Sequence, residues 1–330
     1  MGLAAAAAPA WSEQRNLDKT FDVTPGGRLT VRADGADVTV TGADTKQVEV
    51  HVSVTASEKA LEGMTISAEQ SGEGIDVIVK RPTKHWLGGQ WKFGINEDIR
   101  VNVKVPHQYA ANLRTSGGDL AISRLQGDAT GRTSGGDVTV SDIQGAVRMN
   151  TSGGDMKFEG IQGRVDVQTS GGDVELRSVR GDLNAHTSGG TVRAEDVTGS
   201  VKLVSSGGDV LADRITGPIE ARTTGGDVRL EKMDGAVVAH TSGGNITVEL
   251  IGRNRGIDVA TSGSNIELRL PAAVTATVDA SAGSGKVRSD LPITGPITED
   301  KSKVQGTING GGEPIHARTS GGNIVLQASR

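Results

Sequence analysis

Apolar and polar residues alternate in short bursts along most of this chain, and between residues 114 and 250 the bursts return every 18 residues. In residues 133–150, Val138 and Val140 fall on one side and Thr139 and Ser141 on the other, the two-residue period of a strand. Ile143 and a Gly145 turn come next, and Val147 and Met149 resume the alternation. Aligning the repeats makes apolar columns. The first is Leu120, Val138, Met156, Val174, Val192, Val210, Val228 and Ile246. The second is Leu125, Ile143, Ile161, Val179, Val197, Ile215, Met233 and Ile251, and the third is Ala129, Val147, Val165, Leu183, Val201, Ile219 and Val237. Such columns predict stacked coils of two short strands, with about five inward residues each, pairing in parallel at ~4.8 Å.

The flanks carry the same strand period less regularly. Leu29-Thr30-Val31, Val38-Thr39-Val40 and the run Val48 to Val54 read as strands, and so do stretches near residues 65–68, 75–79, 99–105 and 111–113. Residues 58–63 read as a single helical turn. After residue 250 the beat loosens, residues 291–312 are irregular, and Thr319-Ser320-Gly321-Gly322-Asn323 restores it as a last strand. The expected organisation is a remnant of an export signal or a disordered tail over 1–10, and irregular N-terminal coils and cap over 11–113. A regular solenoid over 114–252 and irregular C-terminal coils and cap over 253–330 complete it.

The turn phrase between strands is Thr-Ser-Gly-Gly-Asp, first at Thr115-Ser116-Gly117-Gly118-Asp119. Its carboxylate column, Asp119, Asp137, Asp155, Asp173, Asp209 and Asp227, is a candidate calcium edge. Glycine-rich calcium repeats carry Gly-Gly-x-Gly-x-Asp at each turn, however, and here only Gly-Gly-Asp is present. The preferred reading is turn chemistry, in which each short side chain accepts backbone N–H bonds around glycines at positive φ. No cofactor is expected. The Thr/Ser column supplies a hydroxyl at every turn, so no single serine stands out as a nucleophile. His186 and His240 share an outward column three coils apart, too far for one zinc ion.

Composition narrows the rest. Aromatics are 2% and Cys is absent, which excludes disulfides and thiolate chemistry; a net charge of −5 with mixed signs offers no nucleic-acid footprint. No apolar run is long enough to cross a bilayer. Ala8-Pro9-Ala10 has the A-x-A form of a signal-peptidase site, so export is expected. Trp86, Trp91 and Phe93 gather in a glycine-containing interruption at residues 85–96. They suggest either a ligand-binding loop for sugar rings or a flap over a strand edge, and the flap is the simpler expectation.

Phe21-Asp22-Val23-Thr24-Pro25-Gly26-Gly27-Arg28-Leu29, Val105-Pro106, the Thr-Ser-Gly-Gly-Asp runs and the closing 319–326 strand resemble the bacterial DUF4097 β-strand repeat family, called putative adhesins. The resemblance covers about residues 20–330 and implies an all-β, right-handed parallel β-solenoid (β-helix), exported or membrane-tethered, with no catalytic residues to transfer. The expected role is a non-enzymatic scaffold of the cell envelope that binds a surface glycan or an envelope protein. The alternatives are an envelope-stress sensing accessory domain and a carbohydrate-active β-helix enzyme of polysaccharide-lyase type.

Overall fold

The computed structural model describes residues 13–72, 74–81, 97–296 and 301–329, with Lys59 through its backbone only. The described residues are all-β apart from one short helix, and the chain divides into two compact units, residues 1–136 and 137–330.

The first unit contains β1 (Glu13–Asp22), β2 (Arg28–Ala33), β3 (Asp37–Ala43), β4 (Gln47–Ala56), α1 (Glu58–Glu62) and β5 (Thr65–Ser71). It continues with β6 (Gly74–Lys80), β7 (Asp98–Pro106), β8 (Ala110–Thr115), β9 (Leu120–Leu125) and β10 (Ala129–Arg132). One sheet runs β1-β4-β7-β3-β9 and the other β10-β8-β2-β6-β5. The coil of β2 and β3 therefore stacks in parallel on β8 and β9, its partners 82 residues later (Leu29 to Ala111), while strands β4 to β7 lie on its other flank. Out there the pairing turns antiparallel, β1 with β4, β4 with β7 and β5 with β6. Uniform parallel pairing, expected from the repeat, gives way here because a hairpin can cover an edge that a further coil would leave open. β1 itself is mostly exposed, tied down by Lys19 Nζ donating to the Ala68 carbonyl at 2.7 Å.

In the second unit the strands begin as β11 (Val138–Gln144), β12 (Val147–Asn150), β13 (Met156–Gln162), β14 (Val165–Gln168), β15 (Val174–Arg180), β16 (Leu183–His186), β17 (Val192–Thr198), β18 (Val201–Val204), β19 (Val210–Thr216) and β20 (Ile219–Arg222). They continue as β21 (Val228–Asp234), β22 (Val237–His240), β23 (Ile246–Leu250), β24 (Ile257–Thr261), β25 (Ile266–Leu270), β26 (Ala276–Ala282), β27 (Val287–Ser289), β28 (Lys303–Ile308), β29 (Pro314–Thr319) and β30 (Ile324–Ala328). Odd-numbered strands from β11 to β25 form one sheet and even-numbered strands from β12 to β24 the other, each pairing in parallel with its successor. From β11 to β22 partners lie 18 residues apart, as in Val138 with Met156 and Val147 with Val165. Side chains of the three apolar columns are buried because each sits on its equivalent one strand away.

One column member departs. Ile251 is 57% exposed, since a register shift between Leu230 and Met233 sets Leu250, not Ile251, opposite Met233. The coil entered at β23 has lost the corner that its predecessors share. At that corner a single residue per long strand takes the left-handed conformation: Asp142 (φ 55°), Gly160 (69°), Ser178 (55°), Asp196 (54°), Arg214 (55°) and Lys232 (57°). Each is skipped on both partners in the strand register, so the 18-residue pairing is kept on either side of the corner. Left-handed geometry costs an L-residue about 1–2 kcal/mol. Ser178→Gly is therefore expected to raise stability by about 1 kcal/mol, and Gly160→Ser to lower it by a similar amount, in urea unfolding.

The end of this unit is also out of chain order. Its sheets finish β23-β25-β30-β27 and β24-β29-β26-β28. The coil of β29 and β30 is last in sequence but sits between β24/β25 and β26/β27, pairing in parallel with both. β28 then covers β26 antiparallel. The restored phrase at Thr319 is thus an interior coil, not the outermost one.

Candidate functional site

The repeated phrase forms one continuous edge in each unit, and its bonds run between neighbouring coils. Thr187 is fully buried; its hydroxyl donates to the Gly172 carbonyl of the preceding coil at 2.9 Å and accepts the Gly190 N–H of its own turn at 3.3 Å. Thr169, Ser205, Thr223 and Thr241 make the same two bonds. In the first unit Thr133 does so with Gly118 and Gly136. These hydroxyls face inward as couplings between coils, which removes them as nucleophiles.

The two glycines of the phrase differ. A Cβ on Gly172 would lie 2.0 Å from the Gly154 carbonyl oxygen, while one on Gly171 would meet its nearest atom at 3.5 Å. The second glycine is required by close approach of backbones, and the first is not. Neither lies at positive φ, contrary to the expectation from sequence; positive φ belongs to the other glycine column, as at Gly181 (143°) and Gly199 (144°).

The aspartates are likewise engaged. Asp137 Oδ1 accepts the N–H of Asp155 at 2.8 Å, Asp155 that of Asp173 at 2.8 Å, and Asp173 that of Thr191 at 2.7 Å. The chain of bonds restarts at Asp209, which accepts from Asp227 at 2.8 Å, and Asp227 accepts from Asn245 at 2.7 Å. In the first unit Asp119 donates its N–H to Asp37 at 2.9 Å. Each acceptor therefore reaches across to the next coil, where the sequence suggested a bond inside its own turn. Asn245, Asn265 and Asn323 carry the pattern on without charge, because an amide oxygen accepts as a carboxylate does. Among the described residues no group of three His, Cys, Asp or Glu side chains is arranged to hold a metal ion.

A second cluster gathers charged side chains at the corner. Arg214, at the left-handed corner, bonds Asp196, Glu195 and Asp213 together, and Lys232 approaches Asp213 at 3.7 Å. Arg177 adds Glu195 at 3.5 Å and Glu175 at 2.5 Å. Beside it, Ser178, Arg180, Asp196, Thr198, Arg214 and Thr216 line a surface groove of ≈ 440 Å³. The hydrogen bond from Arg214 holds the Asp196 carboxyl below the usual carboxylate range, with burial opposing it. At Glu220 burial pushes the carboxyl up, but hydrogen bonds from Arg222 and Lys202 outweigh it and the net shift is downward. A depressed pKa means that the contribution of Asp196 is present above the ordinary carboxylate value and is lost as pH falls through the folded one. Because these groups are exposed, the effect on stability is small and screened by salt. Arg214→Ala is expected to raise the Asp196 pKa towards the ordinary value in a carboxyl NMR titration.

Trp86, Trp91 and Phe93 lie outside the described residues, as do residues 1–12. His186 and His240 sit on the outward face of the even-numbered sheet, His240 Nε2 being 3.9 Å from Asp258. The corner escaped sequence reading because Asp, Gly, Ser, Asp, Arg and Lys share no side-chain type; Gly160 alone hinted at it.

No curated protein matches the chain. Among solved structures, it is similar to a putative cell adhesion protein from Clostridium sporogenes, with 10% identity, TM-score 0.23, and 95% of this chain and 100% of that one covered. A putative adhesin from Parabacteroides distasonis gives 12% identity, TM-score 0.32 and coverage of 95% and 97%. A putative adhesin from Bacteroides fragilis gives 14%, 0.29, and 95% and 97%. The family model for Toastrack DUF4097 matches residues 27–220 and 216–327, and with that the chain belongs to the Toastrack DUF4097 family.

Proposed function

We propose that the protein is an exported, non-enzymatic β-solenoid of the bacterial cell envelope that binds through the outward faces of its coils. The observation that carries this reading is the commitment of the phrase residues: the inward Thr and Ser hydroxyls and most of the carboxylates, which resemble catalytic groups, are bonded to backbone, while the hydroxyl residue beside each lies exposed. What remains outward is a ribbed surface of alternating charges on parallel strands, a surface suited to contact over area. Among the described residues no helix is long and apolar enough to cross a membrane. The winding is inferred to be right-handed with an 18-residue coil, because parallel crossovers between right-twisted strands pack back onto a sheet in that hand.

Glycan arrays and envelope-fraction binding test this, using the intact chain beside a Trp86→Ala, Trp91→Ala variant. Saturable binding to an envelope component is expected, whereas turnover of acidic polysaccharide would overturn the non-enzymatic reading. The same reading assigns calcium no role, since backbone N–H groups occupy the inner carboxylate oxygens. Saturating Ca²⁺ is expected to leave the melting temperature unchanged, and a large Ca²⁺-dependent rise would establish the aspartate edge as a cation site.

A further inference from the structure

The bonds along the phrase edge have a direction, and that direction explains why the last coil in sequence lies inside the stack. Most coils offer two acceptors to the next, a turn carbonyl for a Thr or Ser hydroxyl and an Asp or Asn oxygen for a backbone N–H, with Thr191 interrupting the second series. Coil 314–328 takes both from coil 257–270. Thr319 Oγ1 donates to the Ser264 carbonyl at 2.8 Å, and the Asn323 N–H donates to Asn265 Oδ1 at 2.8 Å. It then offers its own Asn323 Oδ1 to the Lys286 N–H at 2.9 Å.

Coil 276–289 cannot pass the pattern on. Ala282 stands opposite Thr319 and has no hydroxyl, and Lys286, at the Asn323 position, has no side-chain acceptor. It receives on one face and stops, so it is a terminator. Placed directly on coil 257–270 with coil 314–328 outside it, it would leave the Asn323 N–H without the side-chain acceptor that Asn265 supplies, because Lys286 has none. The observed order, with the later coil inside, keeps both bonds of Thr319 and Asn323 to coil 257–270.

We propose that coil 314–328 is a keystone that docks in a separate step into a site formed by coils 257–270 and 276–289, and that the same coil from a second copy of this chain can take the site. Four side chains, Ile315, Ala317, Ile324 and Leu326, become fully buried between the two neighbours. Its tether is loop-like: Asn309, Gly310 and Gly311 have φ of 48°, 86° and 91°, and a Cβ on Gly310 would meet nothing within 4 Å. Interrupting the tether between Gly310 and Gly311 gives up one turn bond, from the Gly311 N–H to the Ile308 carbonyl at 3.1 Å, while Asn309 keeps its side-chain bonds to the Ala272 and Val274 carbonyls.

The test inserts a protease recognition sequence between Gly310 and Gly311 of the full chain, confirms an unchanged melting temperature before cutting, and then cleaves. A labelled peptide spanning residues 313–329 is added in excess. The expected result is replacement of the resident fragment at one peptide per chain, with at least tenfold lower uptake of a peptide carrying Thr319→Val and Ile324→Asp. Failure of the labelled peptide to enter, equal uptake of the altered peptide, or release only on global unfolding would each overturn the proposal. Hydrogen exchange on the uncut wild type gives an independent reading. The amides of Ile315, Ala317, Ile324 and Leu326 should open together and more often than those of coil 174–186, and equal protection would refute a separate docking step.

Discussion

Gly172→Ala is expected to destabilise the protein by about 3 kcal/mol or more, the upper end of overpacking effects, while Gly171→Ala stays within about 1 kcal/mol of wild type. The two residues are neighbours of one type in one turn, and propensity would treat them alike. The difference is through space. A methyl group on Gly172 enters the Gly154 carbonyl at 2.0 Å, and that carbonyl is itself fixed by the Thr169 hydroxyl at 3.1 Å. Backbone held on both sides cannot retreat far enough to admit it. On Gly171 the methyl meets Gly153 at 3.5 Å, ordinary contact, and lowers the entropy of the unfolded chain. Urea unfolding of both variants checks this, and equal effects would mean that close stacking does not select the second glycine.

Thr187→Val ranks next. Valine keeps the shape and removes the hydroxyl, leaving the Gly172 carbonyl and the Gly190 N–H without their partner. A buried polar group left unpaired costs about 1–3 kcal/mol, so two on one edge make this among the most damaging isosteric changes available. Thr187→Ser should retain both bonds and lose about 1 kcal/mol for one buried methyl. Ser205 already shows that serine serves, donating at 2.8 Å and accepting at 3.0 Å. If valine and serine prove equal at Thr187, the hydroxyl coupling contributes nothing net.

Both predictions come from residues that looked chemically active in the sequence. A repeated Thr-Ser-Gly-Gly-Asp invites thoughts of nucleophiles and cation edges, and its repetition in columns already argued for turn chemistry. The structure sharpened that reading: the threonine faces inward, the aspartate bonds across coils, and only the second glycine is sterically required. Ile251 marks a limit of column reading, since the 18-residue beat placed it inward although the shortened β23 had already shifted the frame to Leu250.

The sequence by itself determined the strand period, the inward columns, the parallel register of the regular coils and the short helix at Glu58–Glu62. These arise from side-chain alternation, a property of near neighbours along the chain. Only the tertiary structure decided the left-handed corner, the Arg214 cluster, the excursion that places β7 beside β3, and the return of β29 and β30 inside β26 and β27. The excursion and the return bring together partners remote in sequence, while the corner and the cluster are set by backbone conformation and by charges on adjacent coils. At the return, Thr319 and Asn323 bond to the turn of coil 257–270, and the Asn323 oxygen then accepts the Lys286 N–H.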